Sequence, residues 1–252
     1  MIALPVRADR VAASPLGRAS PLATLGIAIA WLLALATTVD PRAPLLVTVV
    51  ALVAALVLGR VPPRELARGL APLWLAALSV GFFNAVLSPA NADPAATVVV
   101  ALGPLRLTAP AVAGGIAIAL RVVAIVAVGV CWGRVTDPTH LADALVQQGG
   151  LSDRFAYGAL AALQAIPWLA EDLVALRDAR RMRGLRVSWH PRILVGLLVL
   201  AIRRGDRLAV AMDARGFASP GRTRFREVRW SALDAWLVLA GIAVTAAIAV
   251  MR

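Results

Sequence analysis

Long apolar stretches separated by short polar segments dominate the chain. About 20 apolar residues are needed for a helix to cross the hydrocarbon core of a bilayer. Five stretches come close to that length, namely residues 22–39, 44–59, 70–88, 111–132 and 231–250. The second stretch is short, and a proline makes the third the least regular. The pattern predicts an all-α polytopic membrane protein with about five transmembrane helices.

The long segment between the fourth and fifth stretches, residues 134–229, follows a different pattern. Apolar residues recur there at helical spacing with charged residues on the other face, as in Ile166, Leu169, Leu173 and Leu176. The apolar run Ile193–Ile202 is too short to span a bilayer and continues as an amphipathic helix that ends at Gly216. A shorter helix is predicted from Pro138 to Gln148. The segment therefore predicts about three helices inserted before the last span.

The basic residues are placed unevenly along the chain. Sixteen arginines fall between Arg134 and Arg229, and three more precede the first stretch. By the positive-inside rule this predicts a cytoplasmic N-terminus and an external C-terminus. The predicted organisation is a cytoplasmic segment 1–21, transmembrane helices within 22–133, a cytoplasmic helical region 134–229 and a last transmembrane segment 230–252.

Composition supports this picture and excludes several chemistries. The chain is 60% hydrophobic, whereas soluble domains are about 45–50% apolar. All 26 basic residues are arginine, so the chain has no lysine for a nucleotide-binding P-loop. The net charge of +12 is placed unevenly, and contact with anionic lipid explains the basic residues from Arg222 to Arg229, beside the last stretch, better than nucleic acid does. His140 and His190 lie 50 residues apart, and no metal site is predicted from them.

Two predicted helices end in the same dipeptide, in "RRMRGL" at 181–186 and "DARGFA" at 213–218. A glycine after the last turn is a common helix cap, and a cation there complements the helix dipole. A cap needs no arginine, however. Arginine adds a charged planar fork that pairs bidentately with carboxylates. Two such endings, Arg183-Gly184 and Arg215-Gly216, suit a partner that presents one acidic pocket twice.

Several segments resemble one family of membrane proteins. They are "SPLGRASPLATL", "GPLRLTAPAVAGGIAIALRVVAIVAV", "TDPTHLADALVQQGG", "LQAIPWLAEDLVALRDARRMRG" and "AIRRGDRLAVAMDARGF". Together they resemble the transmembrane (T) component of energy-coupling factor transporters, a family that includes CbiQ-type cobalt-transport proteins. That family carries two Ala-Arg-Gly-like motifs at the ends of cytoplasmic coupling helices. The second motif is intact as Ala214, Arg215 and Gly216, whereas the first reads Met182, Arg183 and Gly184.

The resemblance implies a non-catalytic subunit of an ATP-driven importer in a bacterial cytoplasmic membrane. Two ABC-type ATPases would hold the ATP and magnesium, and this chain would bind no cofactor. Arg183 and Arg215 would each dock into a groove of one ATPase. Closure of the ATPase pair would then move a small substrate-binding (S) subunit that carries a vitamin or a transition metal ion. The cargo, and whether one S subunit or several are served, stay open at this point.

Arg121 lies within the fourth apolar stretch, where an ionisable residue is expensive and often functional. It is a candidate intramembrane functional residue at a helix junction or on the side of the S subunit. The alternative is that it snorkels or pairs within the helix bundle. Gly114 and Gly115 lie nearby and permit close helix packing.

Two other functions are compatible with a polytopic apolar chain. A membrane-embedded transferase needs clustered carboxylates to hold magnesium and diphosphate. The acids of residues 134–229 lie singly or as one adjacent pair, including Glu171, Asp172, Asp178, Asp206 and Asp213. A membrane scaffold or assembly protein is the second alternative, and the presence or absence of bound ATPases distinguishes it from a transporter.

Overall fold

A computed structural model describes residues 13–38, 40–102, 105–185, 190–217 and 226–251. These residues form two compact units. Unit 1 contains the described residues up to Leu141 together with those from Arg229 onward, and unit 2 contains those from Ala142 to Val228. Residues 1–12 of the predicted N-terminal segment lie outside the described residues.

The described residues are almost entirely helical. The helices are α1 Pro15–Arg18, α2 Pro21–Thr37, α3 Arg42–Val53, α4 Pro63–Val86, α5 Ala109–Val135, α6 Pro138–Gln147, α7 Asp153–Met182, α8 Arg192–Ala214 and α9 Ala232–Val250. A wider π-type turn, Ala54–Leu58, continues α3, and a 3₁₀ turn, Pro89–Ala92, follows α4. A short antiparallel hairpin, β1 Val98–Leu102 and β2 Leu105–Thr108, precedes α5. The prediction of an all-α polytopic membrane protein is confirmed, and the hairpin is a small addition to it.

Each of the five predicted spans corresponds to a helix, in the order α2, α3, α4, α5 and α9. Among the described residues, four helices are long and apolar enough to cross a membrane: α5, α7, α9 and α4 with its extension to Ala92. Helix α2 and the extended α3 are apolar but shorter. Helix α7 meets the criterion by length and composition alone, and its assignment to the cytoplasmic region stays a prediction.

Unit 1 is held together by a continuous apolar core between α2, α3, α5 and α9. Alanine and valine supply most of its buried side chains. The buried members are Trp31, Leu35, Ala43, Val47, Ala51, Ala55, Val61, Leu66, Ala124, Val128, Cys131, Val135 and Ile248. The indole Nε1 of Trp31 donates a hydrogen bond to the carbonyl oxygen of Gly241 at 3.2 Å. This bond joins α2 to α9, which are far apart in sequence.

A buried carboxylate fixes the start of α9. Ser231 and Asp234 form a capping box, in which the Ser231 backbone N–H donates to Asp234 Oδ2 at 2.7 Å. Asp234 is 0% exposed, and its Oδ1 accepts a hydrogen bond from the backbone N–H of Ser20 at 2.6 Å. Ser20 directly precedes α2. One side chain thus ties together the first turns of α2 and α9.

Helices α4 and α5 approach each other closely at two glycines. A Cβ added at Gly81 would lie 2.6 Å from Ala119 Cβ, and one added at Gly115 would lie 2.6 Å from the Gly81 carbonyl oxygen. Both distances are shorter than any ordinary contact. The neighbouring Gly114 faces open space, where an added Cβ would meet nothing within 4 Å. Only one glycine of the adjacent pair is therefore required by packing.

This difference gives a matched pair of variants. We expect Gly115→Ala to destabilise unit 1 by about 1–3 kcal/mol, because the new methyl group overpacks the contact with the Gly81 backbone. We expect Gly114→Ala to keep or raise stability, because alanine is the better helix former. Thermal unfolding of the two variants in the same detergent measures the difference. Equal melting temperatures would contradict the predicted close contact.

Candidate functional site

Helices α7 and α8 of unit 2 pack side by side in opposite directions. Leu176, near the end of α7, lies against Gly196 near the start of α8. Farther along α8, Arg204 Nη1 lies 2.9 Å from Asp172 Oδ2, which makes an ion pair. The Arg204 guanidinium carbon also lies over the Trp168 ring, 5.6 Å from its centroid. Contacts farther along α8 therefore involve residues closer to the start of α7, which shows that the two helices are antiparallel. The half-buried Leu169, Leu173 and Leu176 follow the predicted stripe, whereas Ile166 is exposed.

The first Arg-Gly ending closes α7 as a Schellman motif. Arg183 occupies the C-cap position, and Gly184 has a φ of +74°. The N–H of Gly184 donates to the Arg181 carbonyl oxygen at 2.9 Å, and the N–H of Leu185 donates to that of Arg180 at 3.2 Å. Glycine is favoured here because a Cβ disfavours the left-handed conformation.

The second Arg-Gly ending closes α8 in the same way. Arg215 is the C-cap residue, and Gly216 has a φ of +66°. The N–H of Gly216 donates to the Asp213 carbonyl oxygen at 2.9 Å, and the N–H of Phe217 donates to that of Met212 at 3.0 Å. The two endings therefore repeat one backbone geometry, including which carbonyl groups are capped. The sequence identified both endings, and the structure gives them an identical cap.

Both motif arginines are available to a partner. Arg183 and Arg215 are exposed, and neither guanidinium has a partner among the residues that the structure describes. The nearby acid Asp178 pairs instead with Arg181, at 3.7 Å. The cations lie beside the negative ends of two helix dipoles, which lowers the cost of placing charge there. Each ending thus presents a capped backbone and an exposed guanidinium group.

The antiparallel packing separates the two endings. Arg183 lies at the end of the pair where α8 begins, and Arg215 lies at the opposite end. Helix α8 has 23 residues, which corresponds to a length of about 35 Å. A single small pocket does not reach both arginines over that length. The arrangement suits two separate binding grooves.

The departure in the first motif has little effect on this geometry. Met182 occupies the position of the family alanine and is 83% exposed. Ala214, at the corresponding position of the second motif, is also exposed. Because both side chains point away from the helix pair, the longer methionine meets no steric obstacle within the described residues.

The left-handed glycines give a second matched comparison. We expect Gly216→Ala to lower the stability of unit 2 by about 1 kcal/mol, because alanine is strained at positive φ. Gly216→Asn is expected to be milder, since asparagine tolerates this conformation better. Gly205 lies within α8 with open space around its Cα, so Gly205→Ala is expected to stabilise the helix. Denaturant unfolding, monitored by circular dichroism, compares the free energies of unfolding of the three variants. A Gly216→Ala variant more stable than the wild type would contradict the cap geometry.

Unit 2 also exposes wide apolar faces. Large apolar side chains on the outer sides of the helix pair are exposed: Phe155, Leu163, Ile166, Trp168 and Val174 of α7, and Leu194, Val195, Leu198, Ile202 and Val210 of α8. Exposed apolar side chains in this number are typical of contact with lipid or with a partner protein. The charged endings and the apolar faces are separate features of the same helix pair.

Arg121 pairs within unit 1. Its Nη2 donates a hydrogen bond to the carbonyl oxygen of Thr38, the C-cap residue of α2. That carbonyl group is at a helix C-terminus, where a cation is favoured. Thr38 directly follows α2, so α2 ends level with Arg121 of the longer α5. The arginine thus pairs within the bundle, and its role as an intramembrane functional residue stays a prediction.

Known proteins similar to this chain share one description. A family model for the cobalt transport protein CbiQ matches residues 13–225. The energy-coupling factor transporter transmembrane protein EcfT of Heliobacterium modesticaldum is 30% identical over 200 residues, which are 73% of this chain and 73% of that protein. The EcfT of Listeria innocua is 31% identical over 160 residues, 57% of this chain and 60% of that protein.

Other similar proteins match over smaller shares of their length. The EcfT of Lactococcus lactis subsp. cremoris is 34% identical over 93 residues, so the match spans 33% of this chain and 35% of that protein. A longer protein of Bifidobacterium longum, named as an ABC transporter ATP-binding protein, is 27% identical over 212 residues. Those residues are 77% of this chain and 26% of that protein.

Proposed function

The chain belongs to the CbiQ family of transmembrane components of energy-coupling factor transporters, and we propose that it transmits ATP-driven movement within such a transporter. It is a multi-pass membrane protein. In this function it binds two ABC-type ATPases and a small S subunit. The observation that carries the proposal is the pair of identical Arg-Gly endings on one antiparallel helix pair.

The ATPase contacts are assigned to Met182, Arg183 and Gly184 on one side, and to Ala214, Arg215 and Gly216 on the other. Each arginine is exposed on a rigid cap and fits a groove lined by carboxylates. The separation of about 35 Å along α8 requires two grooves, as a pair of ATPases provides. ATP and magnesium are held by these partners, because this chain has no lysine for a P-loop.

A similar protein supports the association with an ATPase. In the Bifidobacterium longum protein, a segment similar to most of this chain is 26% of a polypeptide named as ATP-binding. Two subunits that act in one complex can be fused in a single polypeptide, which supports an association between a coupling subunit and an ATPase. In this proposal the two functions are held by separate subunits, and the chain described here catalyses no reaction itself.

The S subunit is proposed to contact the exposed apolar faces of α7 and α8. ATPase closure moves the two endings, and the helix pair carries that movement to the S subunit. The cargo is a vitamin or a transition metal ion, recognised by the S subunit. The location is a bacterial cytoplasmic membrane, with the N-terminus and unit 2 in the cytoplasm, as the distribution of arginines indicates. Family membership favours this function over a transferase or a scaffold.

Affinity capture from the native host tests the proposal. The tagged chain is extracted in mild detergent, and the bound proteins are identified and their ratios measured. We expect two ATPase subunits and one small apolar membrane protein per chain, and the identity of the latter narrows the cargo. Capture of the folded chain without any ATPase would contradict the proposal and favour the scaffold alternative.

A further inference from the structure

Three elements of unit 2 meet at Tyr157, the single tyrosine of the chain. Its hydroxyl group donates a hydrogen bond to Asp143 Oδ1 at 2.7 Å. Its ring lies edge-on to the ring of Phe217, with centroids 6.5 Å apart. Asp143 is in α6, Tyr157 is in the first turns of α7, and Phe217 directly follows Gly216. Tyr157 therefore bridges α6 and the second Arg-Gly ending.

The contact lies in a small packed core. Asp143 is only 8% exposed, which is unusual for a carboxylate. A buried carboxylate needs a hydrogen-bond donor, and the Tyr157 hydroxyl supplies one. Apolar residues surround the pair, namely Ala142, Val146, Leu151, Ala156 and Leu160. Because a packed core has little free volume, displacement of one member displaces the others.

The end of α6 is also tied to the segment that precedes α9. Gln147 Nε2 donates to the Arg226 carbonyl oxygen at 2.8 Å, and Gln147 Oε1 accepts from the Val228 N–H at 2.9 Å. The chain passes between the two units at residues 141–142 and again at 228–229. The Gln147 side chain therefore joins the segment that follows the first boundary to the segment that precedes the second.

Within the described part of the chain, no such connection is seen at the first Arg-Gly ending. Leu185 occupies the position that corresponds to Phe217, and it is exposed. Within the described residues it makes no ring contact, whereas Phe217 packs on Tyr157. The two endings share a backbone geometry but differ in what they touch. Among the residues that the structure describes, the second ending alone is seen fixed to a core that includes α6.

We infer that Tyr157 is a positioning residue that carries displacement of the second Arg-Gly ending to α6, and through Gln147 to both chain connections of unit 2. The inference rests on the proposed function, which supplies the ATPases that displace the ending. Phe217 delivers the displacement to the Tyr157 ring, and Asp143 receives it through the hydroxyl group. The second ending is thus the one that moves α6, and the first serves mainly to hold its ATPase.

The test uses a fluorotyrosine placed at position 157 by stop-codon suppression, in the complete complex with its captured ATPases. The label is single, so tyrosines of the partners do not interfere. We expect its fluorine NMR resonance to shift when magnesium-ATP is added. Phe217→Leu is expected to abolish most of that shift while the ATPases stay bound. Asp143→Asn keeps an acceptor oxygen and is expected to preserve the shift, whereas Asp143→Ala is expected to reduce it.

The outcomes separate this inference from the function on which it rests. If ATPases bind and hydrolyse ATP but the resonance does not move, the inference is wrong and the proposed function stands. A shift of equal size in Phe217→Leu would likewise overturn it. Absence of bound ATPases would contradict the proposed function itself, and with it the inference. A shift that depends on Phe217 and survives in Asp143→Asn supports the route through Tyr157.

Discussion

The double variant Arg183→Glu, Arg215→Glu is expected to lose both ATPases while keeping its fold. Each arginine is exposed and unpaired among the described residues, so reversal leaves no buried charge in this chain. In the complex, each glutamate would face a carboxylate-lined groove. Loss of one interfacial charge pair costs about 2–5 kcal/mol, and repulsion adds to this. We therefore expect each single variant to weaken binding at its own site by about 100-fold or more.

The comparison needs a control with the same change of charge. Arg154 in α7 and Arg203 in α8 are exposed and lie outside both endings. The variant Arg154→Glu, Arg203→Glu is expected to retain the ATPases. Because the two endings are far apart, the effects of the single variants on affinity should add. Quantitative capture of the ATPases compares these four variants with the wild type, and wild-type binding by the Arg183, Arg215 double variant would refute the docking assignment.

The second large effect is expected from Asp234→Ala. Its carboxylate accepts hydrogen bonds from the backbone N–H groups of Ser20 and Ser231 and from the Ser231 hydroxyl group, at 2.6, 2.7 and 2.9 Å. Removal leaves the buried Ser20 N–H and the part-buried Ser231 donors without their acceptor, and it takes away the Asp234 half of the capping box. Loss of these charge-assisted bonds is expected to cost about 3 kcal/mol. The start of α2 should then detach from the start of α9.

Thermal unfolding in detergent, followed by tryptophan fluorescence, measures this loss. Asp206 is an exposed acid of α8, and Asp206→Ala is the control that removes a carboxylate without removing a cap. Asp234→Asn is expected to be intermediate, because an amide keeps one acceptor oxygen but turns an N–H₂ group toward other donors. An unchanged melting temperature for Asp234→Ala would show that this buried network contributes nothing to stability.

The sequence predicted the helices better than their lengths. Hydropathy located α2 and α5, and Arg121 lies near the middle of α5, within the predicted fourth span. The pattern did not show that α2 ends beside it, where the Thr38 carbonyl group accepts its hydrogen bond. The lengths of neighbouring helices depend on where a turn packs, which a hydropathy pattern does not contain. The β1–β2 hairpin was missed for a related reason, since its few apolar residues lie in a connecting segment between spans.

The candidate site was also predicted only in part, because the sequence shows local features and not long-range packing. An Arg-Gly ending is local, so the caps at Gly184 and Gly216 follow from a few adjacent residues. The placement of the endings at opposite ends of an antiparallel pair depends on contacts such as Arg204 with Asp172. The Ser231–Asp234 capping box is also readable locally. Its bond to Ser20 joins residues that are 214 positions apart, and no local pattern predicts that.

The bonds of Gln147 to the backbone at Arg226 and Val228 have a consequence for how such chains diversify. They hold the first and last segments of unit 2 next to each other, as in a domain inserted at one point of a host fold. A host fold tolerates such an insertion because the inserted domain begins and ends at neighbouring points. Unit 2 therefore meets one structural condition for exchange as a cassette between homologous proteins. Its first boundary, 141–142, lies inside α6, so an exchange would have to preserve that helix.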